Sequence, residues 1–347
     1  MRRRVWLIPL ESYPSRYTEQ WATHIPKLIK KAGFEVLEIN GSQTGLYDTT
    51  PGAFVNWAGT NEYKSNQAAS ISAAFGYGNI KDGDVIFFTD FWNPAILQTR
   101  YMIEMLGVKA KIVALAHAGA YDPHDLLGQR CGNQTWVKHS ENAMAAACDA
   151  LVFATEFHRS MFFRSRQMPL GSAYVAGFPF EFVLNIFGKQ EAKSEREDLI
   201  IFTQRNSPEK NPHIFDEIAA LMPEYRFVNV QREGASKEQY HDYIRRAKLM
   251  LSFADQETLG ITPYEALCGG CDILVPNHLS YKEMYSPAVK YNIHSHGTPR
   301  RATFLKRITA SMSMSDTQRA EQCATELARV QEKFFSSAEL IKILRTV

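Results

Sequence analysis

Two glutamates eight residues apart, Glu257 and Glu265, flank a glycine turn and a proline-opened helix in Glu257-Thr-Leu-Gly-Ile-Thr-Pro-Tyr-Glu265-Ala-Leu-Cys-Gly-Gly270. Carboxylates in such a place accept hydrogen bonds from sugar and ribose hydroxyls, while the N–H groups and positive dipole end of a helix start favour a diphosphate. The preceding run, 249–253, reads as a buried strand, and Thr262-Pro263 reads as an N-cap with proline at the first helical position. Glu257 then lies on the loop and Glu265 in the first helical turn, at the carboxyl edge of a parallel sheet, where open α/β folds bind ligands. Leu259, Gly260, Ile261 and Thr262, between the two glutamates, complete a candidate sugar-nucleotide-binding turn. Thr262-x-x-Glu265 also has the form of a capping box, which requires no ligand.

A second loop, Thr203-Gln-Arg205-Asn-Ser-Pro-Glu-Lys210-Asn-Pro, follows another strand-like run and sets two cations beside a helix start. Arginine's planar fork and lysine's point charge suit a departing diphosphate. The same string also reads as a plain turn whose Asn211 caps a helix opened by Pro212. His117, Asp122 and Asp125 gather in His117-Ala-Gly-Ala-Tyr-Asp122-Pro-His-Asp125, again after a strand. A histidine there hydrogen-bonds a sugar or moves a proton, and a carboxylate positions an acceptor hydroxyl. The structural alternatives are a satisfied strand-end histidine and a turn aspartate before proline. Two further post-strand loops, Pro9-Leu-Glu11-Ser-Tyr-Pro-Ser15-Arg16 and Thr89-Asp90-Phe-Trp92, add polar groups on the acceptor side.

These loops need a scaffold that collects strand ends along one edge. Strand-like runs at 5–10, 35–39, 85–89, 111–116 and 150–154 alternate with amphipathic stretches such as 94–106 and 136–148, the βαβ rhythm of a doubly wound parallel sheet. An insertion over 41–64, rich in Gly, Thr and Asn, interrupts the rhythm, and loops of that length are often functional. A charged run over 189–198 marks the expected domain boundary. The rhythm then restarts, with strands at 199–203, 225–230, 249–253 and 272–276 and helices near 212–221, 237–247 and 262–268. The expectation is α/β: a Rossmann-like domain over 1–190, a nucleotide-sugar-binding Rossmann-like domain over 191–315, and a helical segment over 316–347 that packs across both. The site would lie in the cleft between the domains.

Composition removes several alternatives. A chain of 347 residues is too long for one core. A net charge of +2 neither demands nor excludes a polyanionic partner, since a local patch acts within a neutral total. Five cysteines, an odd number, point to a reducing compartment and a cytoplasmic location. Cys268 and Cys271 form a C-x-x-C with no second pair to complete a zinc site, so they read as packing residues. No run approaches the ~18 apolar residues of a membrane span, and no integral membrane association is expected. The basic start, Met1-Arg-Arg-Arg-Val-Trp-Leu-Ile, has too short an apolar run for a signal peptide and reads as a first strand. Asp82-Gly-Asp84 has the spacing of a metal-binding carboxylate pair, but it precedes a strand and contains a turn glycine, which puts it on the wrong edge. No metal and no cofactor is expected. The sequence has neither Gly-x-x-x-x-Gly-Lys-Ser/Thr nor a post-strand Gly-x-Gly-x-x-Gly, the key residues of P-loop hydrolases and common dinucleotide oxidoreductases.

Arg205 and Lys210 at five-residue spacing, then Glu257-x-x-Gly260, Glu265-Ala266 and Gly270, resemble the retaining GT-B glycosyltransferases of the glycogen-synthase-like group, family 4. The resemblance is strongest over about 199–285, and His117 and Thr155-Glu-Phe-His-Arg159 look like landmarks of the family in the first half. It implies a GT-B fold of two Rossmann-like domains and metal-independent transfer with retention from a nucleoside diphosphate sugar, UDP foremost. By the same resemblance Arg205 and Lys210 hold the donor diphosphate, Glu257 the sugar hydroxyls and Glu265 the ribose, while His117 touches the sugar from the opposite domain. Leu259 stands where the family often has phenylalanine, and Asp272 where proline commonly follows Gly270. The glycine-rich loop that many members carry after the first strand is replaced by Leu10-Glu-Ser-Tyr-Pro-Ser.

The phrases Ser15-Arg-Tyr-Thr-Glu-Gln-Trp21, Gly59-Thr-Asn-Glu-Tyr-Lys64 and His117-Ala-Gly-Ala-Tyr-Asp-Pro123 are also similar to glycosyltransferases of large bacteriophages, some of which decorate hydroxymethylated pyrimidines in DNA. That likeness makes DNA with hydroxymethylated bases the leading acceptor and the host cytoplasm the setting. Such an acceptor needs a cationic path. Arg2–Arg4, Arg159/Arg164/Arg166 and Arg300/Arg301/Lys306/Arg307 are the candidates, with Phe54, Trp57 and Tyr63 to stack on an extruded base. Each cluster also reads as a solvated helix face. The acceptor-side set is Glu11, Ser15, Arg16, Asp90, Trp92, Asp122 and Arg159, and the catalytic set His117, Arg205, Lys210 and Glu257. A glycan, lipid or small-molecule acceptor, and a non-catalytic sugar-nucleotide-binding protein, stay open as alternatives.

Overall fold

Strands such as Val-Ile-Phe-Phe at 85–88 and Asp-Ile-Leu-Val-Pro at 272–276 are buried at every position, which requires cover on both sheet faces and therefore helical crossovers. The computed structural model describes all residues except 1, 15, 44, 46–54, 118, 168–171, 189–195 and 296–297. The described chain forms two compact units, the first of Met1–Pro179 with Ser337–Val347 and the second of Phe180–Ser336.

In unit 1, strands β1 (Arg4–Ile8), β2 (Glu35–Glu38), β3 (Val85–Phe88), β4 (Lys111–Ala116), β5 (Ala150–Phe153) and β6 (Ala173–Val175) form a parallel sheet in the order β2-β1-β3-β4-β5-β6. The crossovers are α1 (Tyr17–Lys31), α2 (Trp57–Gly76), α3 (Ala95–Leu106), α4 (Leu126–Cys131) with α5 (Thr135–Ala147), and α6 (Glu156–Arg166). One core cluster joins Ile71 and Phe75 of α2, Ile96 and Ile103 of α3, Met144 of α5 and Phe162 of α6 to Ile86, Phe88, Ile112 and Phe153 of the sheet.

Unit 2 opens with α7 (Phe182–Phe187) and continues through β7 (Glu197–Phe202), α8 (Pro212–Leu221), β8 (Arg226–Asn229), α9 (Lys237–Arg246), β9 (Ala247–Leu251), α10 (Ile261–Cys268), β10 (Asp272–Pro276), α11 (Tyr281–Met284) and β11 (Lys290–Tyr291). Its parallel sheet has the order β11-β10-β9-β7-β8. A small hairpin, β12 (Ile293–Ser295) and β13 (Thr298–Pro299), precedes α12 (Arg301–Met312) and α13 (Asp316–Phe334), and α14 (Ala338–Thr346) returns to unit 1.

Both sheets are doubly wound, as the alternation of runs predicts, but the units divide elsewhere than at 190/191. The charged run follows α7 in the sequence, and α7 already belongs to the second unit. Arg245 donates to the Ile186 carbonyl at 3.0 Å and lies 5.2 Å over the Phe187 ring. The helical tail divides as well. Phe335, beyond α13, stacks on Tyr264 of α10 with centroids 3.8 Å apart, whereas in unit 1 Arg3 donates to the carbonyls of Leu344 at 3.1 Å and Arg345 at 2.7 Å. The short strands β6 and β11 and the hairpin escape a sequence reading because none has a run long enough to show a period.

Candidate functional site

Strand order reverses at β7 in unit 2: the chain runs from β7 to β8 on one side and then places β9 on the other. The loops leaving β7 and β9 therefore lie at the carboxyl edge, at the switch point where doubly wound sheets take ligands. The post-β7 loop carries Gln204, Arg205 and Lys210, and the post-β9 loop carries Glu257. They meet in one network. Glu257 Oε1 accepts from Gln204 Nε2 at 2.6 Å and lies 3.0 Å from Lys210 Nζ, which also donates to the Gln256 carbonyl. Ser252 Oγ donates to Gln204 Oε1 at 3.0 Å, which fixes the orientation of that amide.

The Pro208–Lys210 turn is shaped by Asn211, in the left-handed region at φ 50°, whose Nδ2 donates to the Phe253 carbonyl at 3.0 Å and to Asp255 Oδ2 at 2.8 Å. Asn211 thus ties the two loops together. It also stands at the N-cap of α8, which Pro212 opens, as the sequence alternative has it, but its side chain makes no cap bond. Arg205 NH2 donates to Glu209 Oε1 at 3.0 Å with its side chain 39% exposed, so the guanidinium stays accessible from solvent.

The start of α10 differs from the expected one. Its N-cap is Gly260, at φ +72°, and the helix begins at Ile261. Thr262 is therefore inside the first turn. Its Oγ1 is buried without a hydrogen-bond partner, and the capping box does not form. Glu265 lies deeper in the helix than its expected first-turn place and accepts a 2.5 Å hydrogen bond from Tyr240 of α9. Burial raises the Glu265 carboxyl to about 7, against the opposing pulls of the Tyr240 hydroxyl and Lys237. Leu259 is buried packing. Asp272 is buried too, with its carboxylate receiving Gln322 Nε2 at 2.6 Å and Ser311 Oγ, and so ties β10 to α12 and α13. Cys268 and Cys271 behave as packing residues, burial raising the thiol of Cys268 to about 12 and that of Cys271 further.

In unit 1 the sheet order reverses between β1 and β3, and the post-β1 and post-β3 loops again carry the polar groups. Glu11 is 5% exposed, and its Oε1 has no hydrogen-bond partner. Burial raises its carboxyl, with Thr60 and Lys64 opposing. Burial would raise Asp90 as well, but Lys64, 2.7 Å away, and then His117 outweigh it and hold the carboxyl below its ordinary value. Beside these loops a cavity of about 270 Å³ is lined by Pro9, Ser12, Trp21, Glu38, Tyr63 and Thr89.

His117 has protein partners on both ring nitrogens. Nε2 donates to the Thr89 carbonyl at 2.7 Å, and Nδ1 lies 3.0 Å from the Tyr17 hydroxyl. Burial lowers its pKa, which leaves the ring neutral with Tyr17 donating. Trp21 and Phe178 pack on it with centroids 5.0 Å and 4.9 Å away. A sugar hydroxyl would have to displace Tyr17 to reach this ring. Asp122 and Asp125 serve the turn, accepting from His124 N at 2.9 Å and Leu127 N at 2.9 Å, and Asp125 is the N-cap of α4. Trp92 Nε1 donates to Glu141 Oε1 at 2.7 Å, and Glu141 is paired with Arg166 in a fully buried ion pair. Arg16 lies over the Tyr13 ring, and Arg159 is bound to Glu156 at 2.8 Å. Ser15 and Phe54 lie outside the described residues.

In unit 2 the structure brings together Lys210 and Glu257, as their post-strand positions predict, and adds Gln204 and Tyr240; in unit 1, separately, it adds Glu141. No sequence signal marks these three. Each acts through a partner at least 21 positions away.

Two doubly wound Rossmann-like sheets in one chain, with polar loops on their carboxyl edges, are the GT-B fold. Solved structures similar to this chain include the UDP-forming alpha,alpha-trehalose-phosphate synthase from Burkholderia vietnamiensis (TM-score 0.65, 12% identity, covering 100% of this chain and 99% of that one). Sucrose-phosphate synthase from Thermosynechococcus elongatus (0.63, 12%, 99% and 98%) and Anabaena HepE in complex with UDP and glucose (0.62, 12%, 100% and 100%) are similar too. At these identities the likeness establishes the fold. No protein-family model matches the sequence, and no curated protein does. Among the described residues no helix is long and apolar enough to cross a membrane.

Proposed function

We propose that this protein is a glycosyltransferase that moves a sugar from a nucleoside diphosphate, UDP, to a hydroxyl acceptor with retention. The observation that carries the reading is the Gln204–Glu257–Lys210 network at the β7/β9 switch point, beside Arg205. In the proposed reaction the bond from the anomeric carbon to the β-phosphate oxygen breaks and its electron pair leaves with the UDP. Lys210 and Arg205 stabilise that charge. The acceptor oxygen bonds the anomeric carbon on the face the diphosphate leaves, and its proton passes to the departing phosphate. Glu257 holds sugar hydroxyls and Glu265 the ribose. No metal takes part in the proposal. UDP is favoured by the names of similar structures, a UDP-forming synthase and a protein solved with UDP and glucose.

For the acceptor we take hydroxymethylpyrimidine in DNA, on the sequence likeness to phage enzymes. A second reading, a glycan or small-molecule acceptor, is favoured by the state of the basic clusters. Arg4 is bound to Asp84 at 2.6 Å, Arg166 is buried on Glu141, Arg301 lies 3.4 Å from Glu217, and Arg307 donates to the backbone carbonyls of Pro287 and Ala288. A panel of labelled sugar nucleotides, each offered with hydroxymethylated DNA, unmodified DNA and small glycans, tests both levels. Nucleoside diphosphate release from no donor under any condition sinks the transferase. Release that ignores the DNA but follows a glycan selects the second reading, and the anomeric configuration of the product decides retention.

A further inference from the structure

We infer that Gln204 is a positioning residue, which holds the Glu257 carboxylate in place when Lys210 turns to the donor's diphosphate. The inference rests on reading unit 2 as a sugar-nucleotide site. One oxygen, Glu257 Oε1, is shared between Gln204 Nε2 at 2.6 Å and Lys210 Nζ at 3.0 Å. The two partners respond differently to a diphosphate. Lys210 carries a charge that the stronger anion attracts, and an ammonium offers three N–H groups that can be redirected. Gln204 is neutral and 3% exposed, and its far end is fixed by the fully buried Ser252. Were Lys210 the sole anchor, Glu257 would lose its orientation just as the sugar arrives. The relay from Ser252 at the end of β9, through Gln204 at the end of β7, back to Glu257 removes that conflict. Gln204 acts through Glu257 alone, so it serves the sugar and not the nucleotide.

The experiment compares Gln204→Leu and Ser252→Ala with the wild type. UDP binding is measured by calorimetry, and kcat and KM with the UDP-sugar that the wild type turns over. UDP affinity is expected to stay within about twofold, while kcat/KM for the sugar donor falls ~10–100-fold in Gln204→Leu and by less in Ser252→Ala. If Gln204→Leu does not fold, Ser252→Ala carries the test, because it leaves Gln204 in place and frees its amide to turn. Gln204→Glu sets two carboxylates against one another, so its activity should fall with rising pH more steeply than the wild type's. Unchanged kinetics in all three variants overturns the role of Gln204. So does a loss of UDP affinity as large as the loss of transfer, which would mark a collapsed loop. A wild type that binds no UDP and turns over no sugar nucleotide removes the site's reading and this inference together.

Discussion

Lys210 is 5% exposed, yet its ammonium sits at the mouth of two post-strand loops with a carboxylate 3.0 Å away. A cation held there without much water acts on a leaving diphosphate more strongly than a solvated one. Lys210→Ala is therefore expected to lower turnover by ~10²-fold or more, read as nucleoside diphosphate release, and wild-type rates would remove the residue from the site. Glu265 yields a prediction of another kind. Its folded pKa of about 7 lies above the ordinary 4.5, so between those values the native state binds the proton more tightly than the unfolded chain. The stability it contributes is present in full below the ordinary value and is lost as pH rises to about 7. Glu265→Gln keeps an acceptor for Tyr240 and cannot ionise. It should unfold later than the wild type at pH 8, by up to about 3 kcal/mol, and match it near pH 4. Thermal unfolding of both proteins at the two pH values checks this, and a difference that ignores pH counts against a raised carboxyl. Lys210 and Glu257 were legible because each follows a strand run, and the sheet itself collects strand ends. The Tyr240–Glu265 bond was not, because it joins neighbouring helices whose contact depends on how each is turned about its axis.

At the scale of elements, the start of α10 decides where the donor-facing amides lie. Thr-Pro is a strong cap signal, and it placed the cap at Thr262; the left-handed Gly260 takes that role instead, with Thr262 in the first turn. Glycine's freedom at positive φ overrides the threonine signal here. A Cβ at Gly260 would come within 2.4 Å of Tyr281 Cε1, and Tyr281 is fully buried. Gly260→Ala should therefore cost about 2–4 kcal/mol in urea unfolding, from backbone strain and from the displaced ring, and weaken UDP binding as Ile261 and Thr262 shift. Gly270→Ala is the control. It has the same sign of φ, +75°, but its Cβ meets only the end of the Arg196 side chain. A smaller loss of about 1–2 kcal/mol is expected there, with UDP affinity unchanged. Equal effects at the two glycines would mean that helix position plays no part in binding. The strands at 111–116 and 272–276 and the helix at 212–221 matched their sequence runs because long apolar periods and proline at a helix start are local signals. Three-residue strands carry no period to read.

For the whole molecule, two doubly wound units were legible from the restart of the βαβ rhythm. The boundary was not, because a charged run is only a break in the apolar pattern, while membership of a unit is set by what a helix packs on. The α7 helix precedes the charged run and still joins unit 2, and α14 closes the chain on unit 1. Each unit has its own core, so a ligand held by the loops of one unit acts first on the stability of that unit. At a hundredfold excess over its dissociation constant, UDP should add about 2.7 kcal/mol to the unit that binds it. In hydrogen exchange this predicts slower exchange at 203–211 and 252–262 and in the core strands β7 and β9 of unit 2. The core strands β3 and β4 of unit 1, whose residues from 85 to 88 and from 112 to 116 are all buried, should exchange as they do without nucleotide. Mass spectrometry of peptides from the intact chain, with and without UDP, reads both at once. Slowing confined to unit 2 is the expected result, and equal slowing in both cores would mean that the nucleotide is not held by the β7 and β9 loops alone.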